Sequence, residues 1–257
     1  MAKSTLGLPL EYSTLHTYYD VLSSDDSDEK NRVIEKILQK HTIKTVLDLT
    51  CGTGSQVLYL AKHGYQITGA DLSPALLARA KEKAQKEKLD IPFIEGDMRT
   101  LQVGKFDAVI TIFNAIGHLT KVGFEQALKN IYSNLNDGGL YVFDILNLDA
   151  MTDSFVNNLA MDLRKTVDNT QIHAVQYSEI NREYGHLTSY DSFTIQESSD
   201  VPKTFKGKFI LQIYTAPELR EMLARNGFET LGQYGLDGSK FSEHTTTTIL
   251  TVAKKRS

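Results

Sequence analysis

Three acids at the ends of short apolar runs carry most of the chemistry legible in this chain. Asp48 closes the run from Thr45 to Leu49, Asp71 follows Gln66 to Ala70, and Asp97 follows Pro92 to Glu95. After the first of them, Gly52-Thr53-Gly54 forms a turn that enters a helix, where backbone N–H groups face a ligand. Gly52 and Gly54 let that ligand come close, because no Cβ intervenes. Asp48 can attract an ammonium or sulfonium, Asp71 can accept both hydroxyls of a ribose, and Asp97 can accept from an adenine amino group. A fourth run, Phe106 to Ile112, leads into Asn114-Ala115-Ile116-Gly117-His118, at the point where a reacting group would lie. The set describes a site for a nucleoside carrying a positive charge. Position 57 is Val57, so the G-x-G-x-x-G dinucleotide fingerprint is not met. The turn has no lysine and the Walker pattern is absent, which disfavours a phosphate ligand.

Other residues invite chemistry with less to distinguish them. His118 is the candidate general base, since imidazole titrates near neutrality; a structural or hydrogen-bonding role is the alternative. Tyr18-Tyr19-Asp20 precede the first long helix, and Tyr19 could fold over the ligand with ring and hydroxyl, or simply pack in the core. Cys51 lies inside the turn and reads as a small packed side chain rather than a thiolate. Tyr177, Tyr184, Tyr190, Phe193 and Tyr214 could wall an acceptor pocket or serve ordinary sheet packing.

These residues need elements to hold them. Ser23 to Glu29 supply caps and acids ahead of Val33, Ile34, Ile37 and Leu38, which predicts a helix over about 28–40. Strand and helix then alternate: strands at Thr45–Leu49, Gln66–Ala70, Pro92–Glu95, Phe106–Ile112 and Leu140–Leu146, helices at Gln56–Lys62, from Pro74, and at Phe124–Leu135. Ser73 and Pro74 form a cap-and-first-turn pair, and Asn136-Asp137-Gly138-Gly139 stops the last of these helices. The alternation predicts an α/β fold, a parallel sheet covered on both faces with ligands at the carboxyl ends of its strands. Beyond residue 170 the rhythm becomes Ile172–Ile180, Leu187–Ile195 and Phe205–Tyr214, with a turn at Glu183-Tyr184-Gly185, which predicts an antiparallel β insertion. A helix from Pro217 to Ala224 and strands at Phe228–Tyr234 and Thr247–Ala253 complete the chain. The expected divisions are an N-terminal helical lid over 1–42, a core over 43–147 and 215–257, and the insertion over 148–214, on the acceptor side.

Composition narrows the classes. Of 257 residues, 41% are hydrophobic and 23% charged, the proportions of an ordinary globular protein able to bury a core. A net charge of −4 gives no basic footprint for nucleic acid. The run from Arg79 to Lys88 mixes both signs at helical spacing and reads as a solvated face. The single cysteine excludes an internal disulfide, Met1-Ala2-Lys3-Ser4 leads into no apolar leader, and no 18-residue apolar run occurs, so a cytoplasmic location without membrane insertion is expected. Seven histidines lack ligand spacing, and no metal is expected.

With these residues in view, the block from Val46 to Asn147 resembles the class I S-adenosylmethionine-dependent methyltransferases. Val46-to-Ser55, Gly69-Ala70-Asp71-Leu72-Ser73, Glu95-Gly96-Asp97-Met98, Phe106-Asp107-Ala108-Val109 and Leu135-to-Leu140 carry the likeness. Leu49-to-Gly54, Gly96-to-Arg99 and Phe113-to-Leu119 are most similar to small-molecule N-methyltransferases of the glycine/sarcosine and aminosugar N,N-dimethyltransferase types. The resemblance implies a Rossmann-like, seven-stranded, mostly parallel sheet whose last strand is antiparallel. It implies S-adenosyl-L-methionine as cofactor, held by Tyr19, Asp48, Thr50, Gly52, Thr53 and Gly54, by Asp71 and Leu72, by Asp97 and Met98, and by Asn114.

The departures bear on the acceptor. Glycine methylation resembles an arrangement with an arginine just after the fifth strand; that position here is Leu146, which leaves a substrate carboxylate without a bidentate partner. Asn114-Ala115-Ile116-Gly117 lacks the Pro-Pro-aromatic pattern of amino-group methylases acting on DNA and many proteins. The expected activity is methyl transfer to a small molecule, at an amine, by in-line displacement. Transfer to a hydroxyl and a non-catalytic cofactor-binding role are the alternatives. Exposed antiparallel strand edges could also pair between subunits as a homo-oligomer.

Overall fold

Alternating apolar residues of short strands split the core into two layers, one on each face of a single sheet. The computed structural model describes residues 6–22, 27–198 and 200–256. The caps expected at 23–26 and the start of the chain at 1–5 lie outside the described residues. In chain order the first elements are α1 (Tyr19–Leu22), α2 (Ser27–Lys40), β1 (Thr45–Asp48), α3 (Ser55–Lys62), β2 (Gln66–Asp71), α4 (Pro74–Lys86) and β3 (Phe93–Glu95). Then come β4 (Phe106–Thr111), α5 (Lys121–Asn134), β5 (Leu135–Leu146) and α6 (Asp153–Asn158). The remainder is β6 (Met161–Val167), β7 (Thr170–Asn181), β8 (His186–Glu197), β9 (Lys203–Gln212), α7 (Ala216–Arg225), β10 (Phe228–Gly235) and β11 (Thr248–Lys255).

The main sheet has seven strands in the order β10-β11-β5-β4-β1-β2-β3. β1 to β5 pair in parallel, whereas β11 runs antiparallel to both β5 and β10. The antiparallel last strand and the Rossmann-like order are those implied by the sequence resemblance. Leu47, Val109, Tyr141, Phe143 and Ile145 turn to one face, where α5 and α7 contribute Phe124, Leu128, Ile131, Leu219 and Leu223. Val46, Ala108, Ile110 and Val142 turn to the other, against Ile34 and Leu38 of α2, Val57 and Leu60 of α3, and Leu77 of α4. The period of two along each strand therefore selects which helix it meets.

β1 sits between β2 and β4, with Asp48 opposite Gly69 on one side and Ile110 on the other. Asp71 lies opposite Glu95 of β3. All the expected strand-end acids thus reach the same edge of the sheet. Ser73 caps α4 as expected, its hydroxyl accepting from the Leu76 amide. Most boundaries shift by one to three residues, and the start of the fifth strand, expected at Leu140, shifts further. β5 begins at Leu135, so Asn136 to Gly139 belong to the strand and loop out within it; pairing with β4 jumps from Phe106–Leu135 to Ala108–Leu140.

The insertion is a separate antiparallel sheet, β6-β7-β8-β9. β6 was not expected from the sequence. It is an edge strand, Met161-Asp162-Leu163-Arg164-Lys165-Thr166-Val167, whose charges mask its alternation. The N-terminal segment lies between the two sheets. Leu6 donates to the His118 carbonyl and accepts from Ile210 of β9, both at 3.1 Å, and buried Leu15 packs with Ala174, Phe193 and Ile195 of the insertion. Among the described residues, no helix is long and apolar enough to cross a membrane.

Candidate active site

At the carboxyl edge of β1 to β4 lies a cavity of about 560 Å³, roofed by the N-terminal segment. Its wall includes Asp48, Thr50, Gly52 and Thr53 from the first turn, Asp71 and Leu72 from the second, and Asp97 and Met98 from the third. Tyr12, His16 and Tyr19 come from the N-terminal segment, and Phe113 and His118 from the loop after β4. A volume of this order accommodates a nucleoside with an amino-acid side arm.

The first turn is built by its neighbours. Gly52 and Gly54 have φ of 54° and 86°, left-handed values that side chains other than glycine's rarely adopt. The Cys51 amide donates to Ala70 at 2.8 Å, and the Gly52 amide donates to Asp71 Oδ2 at 2.8 Å. Asp71 Oδ1 accepts the Ser73 amide at 2.8 Å. Asp48 Oδ1 accepts the Thr50 amide at 3.0 Å. Burial, with Asp71 close by, pushes Asp48 up to about 7. Burial also raises Asp71, despite the amides it accepts. Two desolvated carboxylates on one cavity wall fit a positively charged ligand. The buried Thr50 hydroxyl and both amide atoms of Gln56, all on residues of the wall, have no hydrogen-bond partner among the described residues, which again fits a polar ligand.

Asp97 is less open than the sequence suggests. Its carboxylate accepts the Arg99 amide at 2.8 Å and pairs with the Arg99 guanidinium, whose Nε lies 2.9 Å from Oδ1. The Arg99 hydrogen bond holds Asp97 below the usual carboxylate range.

Two expected cofactor contacts lie off the wall. Gly54 caps α3 and lets it approach α4; a Cβ there would stand 3.1 Å from the Cβ of Ala80. Asn114 turns its side chain away to accept the Leu146 amide at 2.9 Å, so it braces β5 instead of facing the reacting group.

The roof is latched at Asp20. Thr53 donates to its carboxylate at 2.6 Å, Lys83 of α4 at 2.8 Å, and Arg79 stands 3.5 Å away. Tyr19 comes to the wall one residue earlier, and a Cβ on Gly52 would lie 3.6 Å from its hydroxyl. Burial, with Asp71 nearby, pushes Tyr19 up to about 12. Tyr12 stacks edge-on to His118, with its hydroxyl 3.4 Å from His118 Nε2. Burial drives His118 down to about 4, so the imidazole is neutral at physiological pH. Tyr12 and His16 escaped the sequence reading because they sit in short 3₁₀ turns, which leave no helical period to read.

Residues 46–139 match the family of the methyltransferase domain. They carry a methyltransferase domain. It is 33% identical to a glycine/sarcosine N-methyltransferase of Parasynechococcus marenigrum over 120 residues, 45% of this chain and 43% of that one. The chain spans about half the length of the curated relatives it matches. Among solved structures, a sugar N-methyltransferase from Streptoalloteichus superposes with a TM-score of 0.79 at 19% identity, covering 100% of this chain and 98% of that one. An S-adenosylmethionine-dependent methyltransferase from Clostridium acetobutylicum gives 0.78 at 19% identity, covering 97% and 100%. The second sheet, which lies outside residues 46–139, is thus covered by both neighbours, at identities that speak to architecture alone.

Proposed function

We propose that this chain transfers a methyl group from S-adenosyl-L-methionine to an amine on a small-molecule acceptor. The observation that carries the reading is the pair of buried carboxylates, Asp48 and Asp71, flanking a glycine turn on one cavity wall. Asp48 would supply the counter-charge, Asp71 would accept the ribose hydroxyls, and the backbone around Asp97 and Met98 would border the base. Tyr19, Thr50, Gly52, Thr53 and Leu72 would complete the donor's surroundings. When bound, the donor supplies an activated methyl carbon with its own leaving group, so the chain need only align, desolvate and manage a proton.

The choice of an amine rests on the basicity available. His118 at about 4 is a poor acceptor of a hydroxyl proton at neutral pH. An amine attacks as the free base and needs no proton removed beforehand. Tyr12 and His118 are then placed to orient the acceptor by hydrogen bonding. The N-methyltransferase name of the sequence relative supports the same choice.

Equilibrium calorimetry with S-adenosyl-L-methionine tests the donor, and no binding at millimolar concentration would sink the reading. Screening amines and phenols for release of S-adenosylhomocysteine tests the acceptor; turnover of phenols alone would overturn the amine.

A further inference from the structure

The loop after β4 contains a conformation that the donor site does not account for. Phe113 and Asn114 are consecutive and both left-handed, with φ of 65° and 60°. Neither is glycine, and the first is a bulky aromatic for which this region is costly. Something must hold them there. Asp144, fully buried on β5, accepts the Phe113 amide on Oδ1 at 2.6 Å and the Asn114 amide on Oδ2 at 3.3 Å. Asn114 then accepts from Leu146, two residues along the same strand. Beyond the Phe113 ring stands Lys30 of α2, its ammonium 5.3 Å from the ring centre. Phe113 lines the cavity and is 37% exposed overall.

We propose that Asp144 is a positioning residue, whose carboxylate fixes the left-handed Phe113–Asn114 backbone so that the Phe113 ring forms the acceptor-side wall of the cavity. A buried carboxylate is expensive to desolvate, and an apolar residue at this place in β5 would avoid that cost. Its two oxygens meet two consecutive amides that no strand or helix uses. With the left-handed backbone at residue 113, the side chain lies on the cavity wall. Phe113 thereby becomes a residue that selects the acceptor's shape, while Lys30, off this cavity wall, adds a positive charge that faces Asp144. The assignment of this wall to the acceptor rests on the methyl-transfer reading; the positioning of Phe113 does not.

The chain contains no tryptophan, so a Phe113→Trp variant places a single reporter at the site. Its emission and its quenching by acrylamide are compared with those of the Phe113→Trp/Asp144→Asn double variant, both without ligand. The expected result is a shift to longer wavelength and steeper quenching when Asp144 is replaced. A second reporter, Leu72→Trp, lies on the same cavity at a 48% exposed position. Its emission should not respond to Asp144→Asn, which separates local positioning from a general loosening. Unchanged emission and quenching at position 113, or equal changes at both positions, would overturn the proposal. If Asp144→Asn does not fold, Asp144→Glu keeps the carboxylate but displaces it by a methylene. The same shift at position 113 then supports the proposal and its absence overturns it. Titrating the Phe113→Trp variant with S-adenosylhomocysteine tests the cavity reading separately, since a silent titration counts against the donor site while the ligand-free comparison still decides the role of Asp144.

Discussion

Asp71 Oδ2 accepts the Gly52 amide at 2.8 Å, which ties the end of the second strand to the turn that leaves the first. One carboxylate thus fixes the shape of the turn and offers its remaining lone pairs to the cavity. Replacing Asp71 with alanine removes both effects. Hydrogen bonds to a charged group contribute about 1.5–3 kcal/mol, so affinity for S-adenosylhomocysteine should fall on the order of 10- to 100-fold. Calorimetry checks this. An unchanged affinity would place the ribose elsewhere.

Asp48 at about 7 gives a pH dependence with a definite sign. Its folded pKa lies above the ordinary carboxylate value near 4, so the folded state binds more protons than the unfolded state between about pH 4 and pH 7. Without ligand, this group's contribution to stability is fully present below that window and is lost as pH rises through it. Asp48→Asn should remove this group's share of the dependence and leave that of Glu11, at about 7, and Asp144, at about 6, and should be more stable than the parent at pH 8 by about 1–4 kcal/mol. Denaturant unfolding at several pH values reads the difference. A sulfonium ligand reverses the preference by favouring the ionised acid. The advantage of S-adenosyl-L-methionine over the neutral thioether S-adenosylhomocysteine should therefore grow from pH 6 to pH 8.

Much of this was legible in the residues, and the part that was not has a physical reason. The strands of the main sheet announce themselves as β-branched runs, and their terminal acids fall at the sheet edge because parallel strands joined by helices all end on the same side. The insertion was legible where Ile172, Phe193 and Ile195 alternate with polar residues. β6 was not, because an edge strand hides its period behind Asp162, Arg164 and Lys165. Asn114 was misplaced for a different reason. Its position after β4 is right, but the direction of its side chain follows from a left-handed backbone that neither Phe113 nor Asn114 announces as a glycine would. Asp144 was overlooked as one acid within an apolar strand, since its partners are amides thirty residues away in sequence, whose exposure only the fold creates.

Asp20 joins the roof to the turn through Thr53 and Lys83. Burial alone would raise its pKa, but the hydrogen bonds from Lys83 and Thr53, with Arg79 nearby, outweigh it and hold the acid below its usual value. Its stabilising contribution is therefore present at neutral pH and lost as pH falls through the folded pKa, which lies below the ordinary carboxylate value. Asp20→Asn should leave the main sheet folded and loosen the N-terminal segment. The group is about a third exposed, so the stability cost should be small, about 1 kcal/mol. The sharper readout is amide exchange, which should accelerate at Tyr19 and Asp20 far more than in β1 or β4. Equal protection in parent and variant would show that Leu15 packing alone holds the roof.

His118 bears on the reaction through its neutrality. Burial keeps it near 4, so its charge does not change between pH 6 and 9. The pH–rate profile with an amine acceptor should rise with the fraction of free amine and show no separate limb near 6.5, the ordinary imidazole value. His118→Asn keeps a polar side chain on the wall beside Tyr12 and should lower the rate moderately, about tenfold, chiefly through acceptor KM. His118→Phe removes every polar atom and should cost more. A limb near 6.5 that disappears in His118→Asn would instead make the imidazole a general base, and the environment that Tyr12 and Phe209 create around it would then have to open during turnover.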